Sequence, residues 1–104
     1  MNAGAATKIW IFRKGNGQVR AHPSPVVLRA GEMFSIRNVT AAPAVATFSP
    51  GTIEKEPRVS IPAGGTSTDL KVIAPAGVYF EFDVVLASGE YAEGGSRPGG
   101  IVDP

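Results

Sequence analysis

The sequence predicts an all-β domain, a sandwich of seven to eight short strands, and three observations carry that reading. Val78, Phe80, Phe82, Val84 and Leu86 fall at every second position, the period that puts all five on one face of an extended strand. Thirteen Gly and nine Pro are spread through 104 residues as breaks between short apolar runs, the punctuation of a domain built from strands and turns. No segment of helical length shows apolar residues at the helical period.

Taken in order, residues 1–6 are small and polar and are expected to fray. Residues 7–104 then form one domain. Thr7 to Lys14 holds the continuous β-favouring run Ile9-Trp10-Ile11-Phe12, which predicts a strand covered on both faces, at a sheet edge folded under a loop. Gly15-Asn16-Gly17 is a turn, because Gly and Asn tolerate positive φ, and Gln18 to Ala21 pairs back. His22-Pro23-Ser24-Pro25 breaks regularity, since neither proline donates to a ladder. Val26 to Ala30 and Glu32 to Val39 flank Gly31 as two strands at a corner, and Asn38 stands where its amide can tie loop backbone. After the Thr40 to Ala44 loop, Val45 to Phe48 is a short strand stopped by Ser49-Pro50-Gly51. Thr52 to Glu56 is charged and is read as a short helical turn. Val59 and Ile61 mark another strand. Thr66 to Ile73 alternates, with Thr68, Leu70 and Val72 inward against Ser67, Asp69 and Lys71. Residues 76–86 form the central strand, with Tyr79, Glu81 and Asp83 facing outward, and Ile101 to Asp103 closes the sheet after a Gly-rich loop.

Composition limits function. A chain that is 43% hydrophobic and 18% charged is a folded globular one, of a length that buries a core without staples. The absence of cysteine removes disulfides, thiolate catalysis, zinc–thiolate sites, iron–sulfur clusters and blue copper. No apolar run approaches the ~20 residues that cross a bilayer, and the start lacks the pattern of a signal peptide. A cytoplasmic, soluble protein without membrane contact is expected, or a periplasmic or exported one whose signal has been removed. Net charge of +1 is unevenly distributed. Lys8, Arg13, Lys14, Arg20, Arg29 and Arg37 face only Glu32 in residues 1–40, a net of +5, whereas residues 41–104 carry −4. Interleaving of the two halves in a sandwich is expected to blur this into a surface of mixed sign.

Three local patterns then line up with one family. Gly31-Glu32-Met33-Phe34-Ser35-Ile36-Arg37-Asn38 resembles the cupredoxin run of Gly, an acid and alternating apolar residues ending in Asn. Ile61-Pro62-Ala63-Gly64-Gly65-Thr66 resembles its Pro-Gly-Gly-Thr turn. Pro75-Ala76-Gly77-Val78-Tyr79 resembles its Pro-x-Gly-x-Tyr lead into the penultimate strand, followed by a loop and a final strand near Gly99 to Val102. The resemblance implies a cupredoxin-like Greek-key β-sandwich. It also implies one copper near one end, held by a His after the Asn and by a Cys, a His and often a Met of the last loop. Residue by residue, that site fails here. The first His position falls near Ala44, after Pro43, and the Cys position falls at Asp83 or Val84. The loop from Ala87 to Gly100 contains no His, Cys or Met.

The remaining chemistry-bearing residues fall short of a site. His22 is the only histidine and cannot by itself complete a metal sphere or a catalytic constellation, even with Ser24 close in sequence. Glu81 and Asp83 are read as neighbouring exposed carboxylates rather than an acid–base pair, and Glu90, Glu93 and Asp103 lack the spacing of a calcium loop. Gly94 to Gly100, with Arg97, lacks the Gly-Lys-Ser/Thr of a phosphate loop. No interleaving of basic and aromatic residues of the kind found in single-strand readers is visible along the chain, so nucleic acid is not an expected partner. These readings converge on a non-enzymatic binding or interaction module without a cofactor. Its ligand, a protein or small molecule, would meet the loop end at Thr40, Pro43, Ala44, Tyr91 and Arg97. The alternative is an assembly subunit that forms homo-oligomers through sheet edges or complementary charge.

Overall fold

The computed structural model describes residues 7–54, 56–92 and 98–103. They form nine strands and no helix: β1 (Thr7–Arg13), β2 (Val19–His22), β3 (Val26–Leu28), β4 (Met33–Asn38), β5 (Ala44–Phe48), β6 (Arg58–Ile61), β7 (Leu70–Lys71), β8 (Tyr79–Leu86) and β9 (Gly99–Val102). One sheet has the order β2-β1-β4-β7 and the other β3-β9-β8-β5-β6. Both are mixed, because β1 runs parallel to β4 and β3 parallel to β9 while the remaining pairs are antiparallel. Alternation on each strand turns one set of side chains into the space between the sheets. The alternation predicted for β8 is present from Phe80 onward, with Phe80, Phe82, Val84 and Leu86 all buried, whereas Val78 precedes the strand and is exposed.

Four phenylalanines bind the layers. Phe34 comes from the four-stranded sheet, and Phe48, Phe80 and Phe82 from the other. Phe48 stacks on Phe82 at 4.9 Å between centroids, meets Phe34 edge-on at 6.0 Å and lies 6.3 Å from Phe80, the offset and edge arrangements aromatic quadrupoles favour. Room for Phe80 depends on β9. A Cβ on Gly100 would strike the Phe80 ring and stand 2.8 Å from Val26 Cγ1. We therefore expect Gly100→Ala to lower stability by about 1–3 kcal/mol through overpacking, checked as a shift in the urea midpoint at unchanged slope.

The structure corrects four expectations. β1 is not an edge strand covered on both faces: it lies between β2 and β4, with Ile9 and Ile11 fully buried and Trp10 exposed. The apolar run there is an ordinary alternation in which an aromatic residue occupies an outward position. Thr68 is exposed and Ser67 is buried, the reverse of the predicted phase. The regular strand shrinks to Leu70–Lys71 because Ser67 docks against β4, its Oγ accepting from Ile36 N at 2.9 Å and its N donating to Ile36 O at 2.8 Å. Residues 52–54 are not helical; Ile53 is buried and bridges Val72, and Glu54 N donates to Lys71 O. The strand count is nine rather than seven to eight, and each of the nine overlaps a segment the sequence marks as extended. Residues 1–6 and 93–97, which include the predicted frayed start and Arg97, lie outside the described residues.

Candidate functional site

The end of the sandwich named from the sequence is assembled from strand termini. Parallel pairing sets Asn38, the last residue of β4, beside Ile11 of β1, while Ala44 at the start of β5 pairs with Ile61 on one side and Leu86 on the other. The connections that leave these termini meet in space, with Ala87 N donating to Pro43 O at 2.8 Å. The loop of residues 40–44 is thus tied to the start of the stretch after Leu86.

Asn38 organises that loop. It has no exposed area, and a buried amide must find partners for both its oxygen and its nitrogen. Its Oδ1 accepts from Thr40 N at 2.9 Å and from the Thr40 hydroxyl at 2.7 Å, and its Nδ2 donates to Ala42 O at 2.8 Å. Asn38 N itself donates to Gly65 O at 2.8 Å. The side chain therefore ties the 39–43 loop into a fixed turn, with the Pro62–Gly65 turn held against its backbone. Thr40 is consumed in this network and is buried, and Ala44 is buried as well. Of the residues nominated from sequence, Pro43 and Tyr91 are the exposed ones, Tyr91 at 63% of its surface. Val39, which the sequence reading did not single out, joins them with 47% exposed.

The stretch after Leu86 is braced by an ion pair with no sequence signal, its partners 77 positions apart. Arg13 donates through both terminal nitrogens to Glu90, at 2.8 and 2.9 Å, and Ser88 Oγ donates to the same carboxylate at 2.8 Å. The hydrogen bonds from Arg13, then that from Ser88, pull the Glu90 carboxyl from its ordinary 4.5 down to about 2. The Arg13 guanidinium is raised by the same hydrogen bond. Both side chains remain more than two-fifths exposed, so salt screens the pair and its contribution to stability is modest. Because the folded value is depressed, the contribution is complete above the unfolded value near 4.5 and fades as pH falls toward about 2. A carboxyl NMR titration is expected to place the Glu90 midpoint near 2 and to return it toward 4.5 in Arg13→Gln.

The donor chemistry at this end does not fit the copper that the sequence resemblance implies. With Phe80 and Phe82 inward, the inward residue next along β8 is Val84, fully buried, and Asp83 faces outward, half-buried and engaged in interactions of its own. Ala44 and Val84 have no donor atom in their side chains, and the whole chain has one histidine and no cysteine. Among the described residues no three His, Cys, Asp or Glu side chains form a metal-holding group. Nor do the residues considered for catalysis come together. His22 is exposed at the end of β2 opposite Trp10, and Ser24 Oγ accepts from Gly99 N at 3.3 Å, a tie between the corner and β9. Glu81 is half-buried on the outer face of β8 and likewise engaged. Among the described residues no helix is long and apolar enough to cross a membrane.

No known protein family matches the sequence, and no curated protein does. Solved structures do match. A methionine-to-alanine mutant of amicyanin, in its Cu(I) form, superposes with a TM-score of 0.58 at 14% identity, covering 99% of this chain and 86% of amicyanin. Lac15, from a marine microbial metagenome, superposes with a TM-score of 0.52 at 17% identity, covering 95% of this chain and 32% of Lac15. At such low identity the likeness speaks to fold alone. The chain has a cupredoxin-like β-sandwich fold, and at its loop end the first His position that the resemblance implies falls near Ala44 and the Cys position at Asp83 or Val84, of which Val84 is the inward one.

Proposed function

We propose that this protein is a non-enzymatic binding module whose ligand, a protein segment or a small molecule, docks on the loop end around Val39, Pro43 and Tyr91. The observation that carries the reading is the contrast between a rigid base and an exposed apolar rim. Asn38 is fully buried and bonded on every side, the loops are cross-tied at Ala87–Pro43, and Val39 and Tyr91 stand out of that frame into solvent. Such preorganisation lowers the ordering cost of binding, and an exposed Tyr offers large contact area with few rotatable bonds. Nothing in the arrangement of His22, Ser24, Glu81 and Asp83 supports bond-making chemistry. The cytoplasm is the compartment that fits this reading.

Affinity capture from the native host tests it. A partner retained by the wild type is expected to be lost with Val39→Ser/Tyr91→Ala and kept with Val27→Ser, whose site lies on the five-stranded sheet. Retention by all three would overturn the placement.

A second reading, self-association, draws on one specific row. Val27, Ile101 and Tyr79 are register partners across β3, β9 and β8, and all three are exposed on the outer face of the five-stranded sheet. Sedimentation over a wide concentration range distinguishes it, since a dimer that dissociates in Val27→Glu would favour assembly over the loop-end reading.

A further inference from the structure

Charge that is merely uneven along the sequence becomes a surface in the fold. Three of the first four strands, β1, β2 and β4, build the four-stranded sheet together with β7. The strands Thr-Lys-Ile-Trp-Ile-Phe-Arg, Val-Arg-Ala-His, Met-Phe-Ser-Ile-Arg-Asn and Leu-Lys contain no acidic residue. With Ile9, Ile11, Val19, Ala21 and Ile36 turned into the core, alternation sends Lys8, Trp10, Phe12, Arg20, His22 and Arg37 to the outer face. Glu81 and Asp83 lie on the opposite sheet, and the acids that do approach this one stand at its margins, Glu90 on Arg13 at the end of β1 and Glu54, Glu56 and Asp69 around Met33 and Lys71 at the β4–β7 edge.

The register sets these groups in rows. His22, Trp10 and Arg37 are direct partners across β2, β1 and β4, and Arg20 faces Phe12 in the next row of the same face. Adjacent strands lie about 4.8 Å apart, so the first row sets an indole between an imidazole and a guanidinium over roughly 10 Å. Trp10 keeps 43% of its surface exposed, although burying an indole is strongly favourable.

We propose that this face binds single-stranded nucleic acid, with an unpaired base stacked on Trp10 and phosphates held by Lys8, Arg20 and Arg37. Charge complementarity selects a polyanion, since cations on one face gain by displacing the counterions of a phosphate chain. The flat groups select among polyanions. Unpaired bases stack on aromatic rings and guanidinium planes, whereas an acidic polypeptide would use the cations and leave the indole in water, and a duplex keeps its bases inside its own stack. The basic–aromatic interleaving of single-strand readers is thus formed across strands rather than along the chain. This surface adjoins the loop end at Val39, two residues beyond Arg37, but is argued from other residues and does not depend on the reading given for it.

Trp10 is the sole tryptophan, so its fluorescence reports directly on this face. Titration with an oligothymidylate of about a dozen nucleotides, within the range of known single-strand sites, is expected to quench it saturably at low salt. With three phosphates engaged, affinity falls roughly tenfold to twentyfold between about 50 and 200 mM salt. Arg20→Gln/Arg37→Gln, with thermal melting to confirm the fold, is expected to weaken binding at least tenfold, and Arg58→Gln on the other sheet to leave it unchanged. The proposal is overturned by absence of quenching at low salt, by equal quenching with polyglutamate or with duplex DNA, or by undiminished affinity in the folded double variant.

Discussion

Replacing Phe48 by alanine is expected to remove about 3–5 kcal/mol of stability. Phe48 is 2% exposed and touches rings from both layers, Phe34 across the sandwich and Phe80 and Phe82 along its own sheet. Sheets packed face to face stand about 10 Å apart and are held there by every other pair in the core. The space left by the ring cannot close by local movement, and a cavity term adds to the lost transfer energy. For a domain whose total stability is on the order of 5–15 kcal/mol, the variant sits near the edge of folding at room temperature. Phe48→Leu keeps most of the volume and is expected to lose only about 1–2 kcal/mol. Urea denaturation of the three proteins checks the order. Equal losses in the two variants would mean that the stacked geometry with Phe82, rather than filled volume, holds the layers.

Asn38→Ala is the second large effect, expected at about 1–3 kcal/mol, and its cause differs. No cavity of comparable size forms. Instead Thr40 N loses its acceptor, while the Thr40 hydroxyl and Ala42 O, 3.0 Å apart, keep each other, and a buried group left unsatisfied carries its full desolvation cost. The loss is partly relieved if the 39–43 loop opens to water, which moves Val39 and Pro43 from their native positions. Hydrogen exchange is the informative measurement. Protection of the Thr40 amide is expected to fall far more than that of Phe82 in the core, where backbone bonding is untouched. A uniform fall across the domain would assign Asn38 a global rather than a local role.

These two residues also mark how far the sequence can be read. The apolar alternation from Phe80 to Leu86 is a local property, visible wherever one face of a strand is buried. The Asn at the end of β4 is legible as a loop tie for a similar reason, because a short amide at a strand terminus has few other uses. Which phenylalanines meet across the sandwich is not legible, since Phe34 and Phe48 face each other only after the chain has changed sheets. The reversed phase at Ser67 and Thr68 has a physical source. A serine that serves as a backbone partner for Ile36 breaks the polar-out rule, and hydropathy alone sees only a polar residue. Trp10 departs in the opposite direction, an apolar residue in an outward position that hydropathy counts as covered.

At the candidate site the balance is similar. That residues 40–44 and the stretch after Leu86 share one end is what the family resemblance implies, and the bond from Ala87 N to Pro43 O ties the start of that stretch to the loop. Thr40 and Ala44 are nominated by sequence as contact residues, yet both are buried; position in a loop does not guarantee an accessible side chain when the loop wraps a polar centre. The Arg13–Glu90 pair and the exposed Val39 carry no signal, the first because the partners are remote in sequence and the second because one apolar residue beside a strand looks like more strand. The basic face has only its compositional shadow, the +5 of residues 1–40, until the order β2-β1-β4-β7 gathers it on one sheet.

Among the described residues the loop end of this cupredoxin-like frame holds no donor set for copper, and a copper titration is the decisive experiment. Copper(II) and copper(I) are added to the full chain while absorbance and thermal melting are followed. The expected result is no stoichiometric complex and no change in melting temperature beyond weak, nonspecific binding that competing imidazole removes. A one-to-one complex with a defined ligand-to-metal band and a large rise in melting temperature would contradict the claim, because Ala44, Val84 and a solitary His22 offer no means of forming it.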